Sequence, residues 1–417
     1  MGDVGEGRGR MSKGPTENGR EREQREYKSE DMKVVRTFHP VGQGAFYSER
    51  FFFHDGNQLK SKHNIVFDCG VMRWPEWMMY HVVKSAFTDK DEIDHLFISH
   101  LDYDHLSLVN TLLKTVKCVK DIVLPLVSEE YLILAMTYYQ TDYYYDNDMV
   151  AFFSEVINRM DNRPEKLTVH FVGEEKQKEM TDVLIWPRGQ VREAQWKPDW
   201  VFIPYNMNYC SRRQELHDEF EKVVKDKAFT DAIKLNGIEP IKDADDLFER
   251  LKNSEFTKIV LTIRELRKTI KGSYEKISGK TNENSLLLYS GPIESDGVYR
   301  MLQTLPFRSI RYHDLFRTGC LYTGDNTCDM EDWEKKYADV WKYIGTIQLP
   351  HHGSVDSFDV TKNVIDRRYV LPVSYGCDNL YGHPSGEVLA YLLANRCCVE
   401  SVTEKADSVY MQRIERY

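Results

Sequence analysis

The chain has 417 residues, 41% of them apolar and 29% charged, so it can bury a sizeable core and whole-chain disorder is excluded. Its 56 basic and 66 acidic side chains leave a net charge of −10, which excludes a uniformly basic polyanion-binding surface; nucleic-acid contact has to come from a local patch or a metal centre. No apolar run approaches the ~18 residues of a membrane-spanning helix, the eight cysteines include no CxxC pair, and no apolar secretory stretch opens the chain, so the expectation is a cytoplasmic protein with free thiols and no membrane partner.

Residues 1–31 are polar and rich in Gly, Glu, Arg and Lys, and read as a disordered tail, with Met11 and Met32 as alternative initiators. Strands are predicted over 34–38, 45–53 and 64–68, a helix over 74–87, a buried strand over 93–99, a helix over 106–116 and a strand over 122–126. Residues 129–159 hold six tyrosines and read as helical with a packed aromatic face. Short strands follow over 167–172, 183–186 and 200–204. Amphipathic helices over 211–234, 243–252 and 255–271 form an insertion, placed at 206–282. The β pattern returns over 285–289, 319–323, 345–349 and 369–374, then a helix over 385–395 and strands over 399–403 and 408–414. Strand and helix alternate, which argues for a layered α/β fold: two strand-rich halves, 32–205 and 283–417, flanking the helical insertion.

The chemistry concentrates at strand ends. Ser99-His-Leu-Asp-Tyr-Asp-His105 places His100, Asp102, Asp104 and His105 within six residues, directly after an apolar strand that would hold them rigidly. Imidazole and carboxylate together suit zinc, manganese or iron. Three further clusters follow apolar strands: Asp325 after a turn glycine, His351 and His352 in Pro350-His-His-Gly-Ser354, and His383 in Tyr381-Gly-His-Pro384. Each alone is a weak signal; together they repeat one arrangement of strand, sharp turn and ligand, as a dinuclear site requires.

In order along the chain, Phe38-His-Pro-Val-Gly-Gln-Gly-Ala-Phe46, Ile65-Val-Phe-Asp-Cys-Gly70, His100-Leu-Asp-Tyr-Asp-His105, Asn284-Ser-Leu-Leu-Leu288, Thr323-Gly-Asp325, Pro350-His-His-Gly-Ser354 and Tyr381-Gly-His-Pro384 resemble the motifs of metallo-β-lactamase-fold hydrolases. Within that group they are most similar to the soluble domain of ComEC-type competence proteins. The resemblance covers about 32–125 and 282–402. It implies a four-layer αββα metallo-β-lactamase sandwich and two divalent metal ions, zinc or manganese. Asp325 would bridge the ions, His100 and Asp102 would hold one, and Asp104, His105 and His383 the other. His351 or His352 would complete the coordination or stabilise the leaving group, with the choice between them open, and Asp104 could instead orient the nucleophile as a general base. Water acidified between the two ions would attack an anionic ester. The implied activity is a phosphodiesterase or nuclease with DNA or RNA as substrate; the alternatives are a small-molecule ester or cyclic-nucleotide hydrolase, or a metal-stabilised partner-binding scaffold. The Asp68 carboxylate is expected to be structural. Two features depart from the group: a lysine often found before the His-His pair is replaced by Gln348, and the membrane channel of the competence proteins has no counterpart, so DNA uptake is not implied. The basic stretch 252–280 reads as a solvated helix face or as a phosphate-contacting one. Oligomeric state is not legible.

Overall fold

A computed structural model describes residues 31–55, 57–72, 76–125, 168–173, 184–187, 192–194, 197–206, 212–251, 253–274, 276, 285–293, 299–304, 317–363, 365 and 367–416. The tyrosine-rich stretch 129–159 and residues 1–30 lie outside them. The first sheet begins with the antiparallel strands β1 (Asp31–Phe38), β2 (Phe46–Asp55) and β3 (Gln58–Cys69). β4 (Glu92–Phe97), β5 (Cys118–Pro125), β6 (Thr168–Gly173) and β7 (Leu184–Pro187) extend it in parallel from β3. On the other edge, β16 (Tyr410–Arg416) pairs with β1, and β11 (Tyr299–Thr304) with β16, making nine strands among the described residues.

Among the described residues the second sheet has seven strands. β8 (Arg192–Ala194), β9 (Lys197–Tyr205), β10 (Leu287–Pro292) and β12 (Gly319–Tyr322) are antiparallel neighbours. β13 (Ile344–Ile347), β14 (Val370–Ser374) and β15 (Cys398–Val402) then add in parallel beside β12. The chain is thus an α/β protein with two mixed sheets.

Alternation sets the inward faces. Met32, Val34, Arg36 and Phe38 of β1 are buried while Lys33, Val35 and Thr37 are half-exposed, the period-two pattern of a strand with one covered face. Side chains from both sheets, among them Phe51, Phe67, Trp200, Leu288, Tyr322 and Ile414, merge into one buried apolar cluster, so the sheets pack against each other. A second cluster joins the first sheet to α1 (Glu76–Ala86) and α3 (Val109–Thr115), and a third joins the second sheet to α9 (Met330–Lys336) and α10 (Gly386–Ala394). Arg36 is carried inside by the strand pattern and is fully paired there. Its Nε donates to Glu49 Oε1 at 2.6 Å, and one terminal nitrogen donates to Gln412 Oε1 at 2.8 Å and the Thr318 carbonyl at 3.2 Å. Glu49 also accepts from Ser290 Oγ and the Tyr322 hydroxyl.

The insertion consists of α4 (Arg212–Lys225), α5 (Lys227–Leu235), α6 (Ala244–Leu251), α7 (Ser254–Thr262) and α8 (Arg264–Tyr274). Its buried side chains, including Phe220, Phe229, Leu247 and Ile270, are continuous with the cluster that takes in α1 and α3. The helix expected over 211–234 is two: Asp226 stops the first and caps the second, accepting from the Phe229 amide at 2.9 Å. The helix expected over 255–271 likewise divides at Ile263. The apolar period runs on across both breaks, so periodicity alone does not register them. β3 begins six residues before its expected start because residues 58–63, polar apart from Leu59, are exposed or half-exposed and carry no apolar alternation, and β8 and β11 have no counterpart among the expected strands.

Among the described residues no helix is long and apolar enough to cross a membrane. The carboxyl ends of β4, β12, β13 and β14 come together, tied by backbone bonds from Leu286 N to Ser99 O at 2.7 Å and from His351 N to Gly324 O at 3.1 Å. In layered α/β proteins such strand ends are where ligands bind.

Candidate metal centre

The short helix α2 (Tyr103–Leu106) carries Asp104 and His105 just beyond β4. Ala45 N donates to the Asp104 carbonyl at 3.0 Å, pinning the helix to the turn before β2. Gly70 lets the chain after β3 approach equally closely: a Cβ there would stand 2.4 Å from the backbone of Asp104. Gly324, in the left-handed region at φ +55°, turns the chain after β12 so that Asp325 faces inward, and a Cβ there would meet Ser99 at 2.6 Å. His351 (φ +46°) and His352 (φ +54°) are consecutive non-glycine residues in that same region, as is Asp68 (φ +54°). Each such residue costs about 1–2 kcal/mol, and of the four described non-glycine residues with positive φ three stand at this site, where backbone strain commonly marks function.

Each of four histidines is held by its Nδ1 and turns its Nε2 toward a carboxylate. His105 Nδ1 donates to Asp68 Oδ2 at 2.8 Å, and its Nε2 lies 3.2 Å from Asp325 Oδ1. Asp68 also accepts from Ser99 N at 2.6 Å and Ser99 Oγ at 2.7 Å. With the Ser99 proton directed at Asp68, the Ser99 oxygen accepts from His100 Nδ1 at 2.8 Å, and Ser285 Oγ lies 3.2 Å from the same nitrogen. His100 Nε2 then faces Asp102 Oδ2 at 3.6 Å and Asp325 Oδ2 at 3.7 Å. His352 Nδ1 donates to the Ser374 carbonyl at 2.8 Å, leaving Nε2 3.0 Å from Asp104 Oδ2. His351 Nδ1 meets Ser357 Oγ at 3.0 Å, and its Nε2 is 3.6 Å from Asp325 Oδ2. Tautomers anchored through Nδ1 in this way present a lone pair at Nε2, the form a metal ion takes.

Among the described residues two triads have ligand atoms within 4.8 Å of one another: His100, His105 and Asp325, and Asp104, His105 and His352. All five residues are buried. His100 Nε2, His105 Nε2 and Asp325 Oδ1 have no hydrogen-bond partner; the His105–Asp325 approach is close without being a well-directed hydrogen bond. Buried polar atoms are nearly always satisfied, so three unsatisfied atoms on residues whose ligand atoms lie within 4.8 Å of one another fit a cation-binding cluster. The two overlapping buried triads could hold metal ions.

The electrostatics agree. Burial opposes a charged His105, yet the carboxylates of Asp325, Asp68 and Asp104 outweigh it and raise its pKa well above the ordinary value. Burial likewise opposes His352, and the hydrogen bond to Asp104 with the nearby Asp325 charge raises it. For Asp325, burial works against ionisation, but His105 and His351 hold its carboxyl well below the usual range. Asp104 behaves alike, with His105 and His352 holding it down to about 2. Without a cation, protons on the imidazoles supply the positive charge that these carboxylates demand.

Asp102 and His351 are partly open to solvent, at 35% and 25% side-chain exposure, so the site is reached from their side. His383 lies on that side, its ring 5.3 Å from His351 and 6.4 Å from His352, and it belongs to neither triad. Burial and then the two neighbouring histidines lower its pKa to about 4. Gln348 is more than a substitution for lysine. Its side-chain oxygen accepts from Thr323 N at 2.9 Å and Gly324 N at 2.8 Å, and its nitrogen donates to the carbonyls of Gly324 and Leu349, joining the Asp325 turn to the histidine turn. Ser99, Ser285 and Ser374 are further supports that sequence reasoning passed over; the serine beside His100 was the available signal.

No protein-family model matches the chain, and no curated protein sequence does. Fold and site define an α/β protein of two mixed sheets with overlapping buried His/Asp clusters that could bind metal ions where the strand ends meet.

Proposed function

We propose that the chain is a metal-dependent hydrolase of the metallo-β-lactamase fold, acting on phosphodiesters. The observation that carries this reading is the pair of buried triads with unsatisfied ligand atoms. The order of the seven sequence motifs supports the fold assignment, as do helices packed on the outer face of each of two stacked sheets. Asp325 would belong to both ligand sets, because Oδ1 faces His105 while Oδ2 faces His100 and His351. One ion would be held by His100, Asp102, His351 and Asp325, the other by Asp104, His105, His352 and Asp325. His383, at the open rim, would meet the substrate or complete the second set.

When bound, two divalent cations, zinc or manganese, would neutralise phosphoryl charge and acidify a nearby water. The protein's own groups do the rest. Asp68 and Ser99 lock His105 and His100 in one tautomer. Asp104, whose carboxyl is held well below the usual range, can orient or deprotonate the attacking water, and His352, anchored on Ser374 through Nδ1, keeps its Nε2 directed at the same site. DNA, RNA and small diesters are all substrates of this chemistry. The test is metal content together with Mn²⁺- and Zn²⁺-dependent turnover of bis(p-nitrophenyl) phosphate and of single- and double-stranded DNA and RNA, with His105→Ala as control. Two metals per chain and turnover lost in the control are expected; full activity in the control, or no bound metal, would overturn the proposal.

A further inference from the structure

A cleft of about 290 Å³ opens between the turn before β2 and the loop after β14, lined by Gln43, Met72, Asp378, Leu380, Tyr381 and Glu404 among others. It adjoins the metal centre through its walls. The Tyr381 ring stacks on His383 with 6.1 Å between centroids, and the 376–381 loop leaves β14 two residues after Ser374, whose carbonyl anchors His352. The loop is built to stay in place: Asn379 accepts from Tyr381 N and His383 N and donates to the carbonyls of Gly376 and His383, and Glu404 accepts from Cys377 N at 3.0 Å.

Three properties of the cleft bear on its occupant. Gln43 is only 7% exposed, and its Oε1 accepts from Gly376 N at 3.4 Å; its Nε2 has no protein acceptor among the described residues and is the donor left to the cleft. Leu380 and Tyr381 are 91% and 53% exposed, an apolar and aromatic wall held open beside the site. The charged groups among the described lining residues are carboxylates, Asp378 and Glu404, with no lysine or arginine; Lys405, next in sequence, is not part of the lining. A polyanion threading this cleft would meet two carboxylates in the lining, with Lys405 beside Glu404 as the neighbouring cation. An organic cation would meet two carboxylates and the face of a tyrosine.

We propose that this cleft binds the non-reacting arm of the substrate, and that this arm carries an organic ammonium group, with an ester oxygen accepting from Gln43 Nε2 and the cation lying between Tyr381, Asp378 and Glu404. The proposal rests on the hydrolase reading above and narrows its substrate class from phosphodiesters at large to small aminoalkyl or choline-like diesters.

The experiment compares kcat/KM of the Mn²⁺-loaded protein for p-nitrophenyl phosphorylcholine, methyl p-nitrophenyl phosphate and a thymidine p-nitrophenyl diester, in the wild type and in the Asp378→Asn, Glu404→Gln double variant. The Gln amide keeps an acceptor for Cys377 N, so the loop is retained. The choline ester is expected to exceed the methyl ester by about tenfold, from one exposed and one half-exposed charge contact and one cation–π contact, and the ratio to fall toward one in the double variant. Equal use of the two esters, preference for the thymidine ester, or a ratio unchanged in the variant would overturn the assignment. Calorimetric titration with choline alone separates this idea from the hydrolase reading. Choline binding that is lost in the variant, with no ester hydrolysed, would keep the cleft and end the hydrolase. Absence of choline binding in a protein that hydrolyses esters without preference would do the reverse.

Discussion

Between the sheets, Arg36 and Glu49 are buried at 0% and 1% exposure, and each is paired through hydrogen bonds to the other and to Gln412, Thr318, Ser290 and Tyr322. At the strand ends, His100, His105 and Asp325 are buried almost as deeply, yet their Nε2 and Oδ1 atoms face one another with no hydrogen-bond partner. Both regions place charge in a low-dielectric interior, where an unpaired group is costly. The first region balances its charge with protein atoms alone. The second carries an excess of carboxylate over fixed cation and pulls protons onto its histidines to compensate. That imbalance separates a polar network that holds two sheets in register from a cluster shaped to receive a cation.

The largest effect that would sharpen this contrast comes from Asp325→Asn. It keeps the shape and removes the charge that faces three histidines, and should lower phosphodiester turnover by about 10²–10³-fold and reduce metal per chain, read by kinetics and metal analysis, while secondary structure persists. A variant that keeps both metals and full turnover would dissolve the distinction. Arg36→Met acts on the other region. It leaves Glu49 a buried carboxylate without its cation and should cost about 3–5 kcal/mol of stability in chemical denaturation, with metal per folded chain unchanged; the Arg36→Met, Glu49→Leu double variant should recover most of the loss.

Asp68→Asn should weaken metal binding by about 10–100-fold, since an amide no longer fixes the His105 tautomer by accepting its Nδ1 proton as a carboxylate does. Competition with a chelator measures it, and wild-type affinity would show that Asp68 serves packing alone.

A smaller effect follows from pH. The folded pKa values of His105 and His352 are raised, so their protonation stabilises the metal-free fold fully below their ordinary value of about 6.5 and that contribution is lost as pH rises through the raised values. Thermal denaturation in chelator should therefore show stability declining on the alkaline side, and added Mn²⁺ or Zn²⁺ should abolish the decline by replacing the protons. Parallel pH profiles with and without metal would contradict the charge argument.

Much of this was readable from residues alone. The strands at 34–38, 93–99, 319–323 and 369–374 announce themselves by apolar runs ended by turn residues, and the ligand-type side chains stand immediately beyond them. These are local properties: a strand needs its neighbours in sequence, and a His or Asp after a turn glycine is visible without the fold. The breaks at Asp226 and Ile263 and the polar half of β3 were less legible, because there the apolar period either continues through the break or is absent from the exposed strand. Which side chains meet was decided by tertiary structure. His105 and Asp68 are 37 residues apart, Asp104 and His352 are 248 apart, and Gln348 joins two turns separated by 24 residues. No local preference encodes such meetings, since their geometry depends on two sheets packing with their strand ends aligned. Sequence by itself determined the ligand types and the strands that carry them. Only the fold decided that Asp325 faces three histidines at once and that the cation-demanding cluster lies apart from the self-satisfied one, because the balance of buried charge is a property of what surrounds a group, not of the group itself.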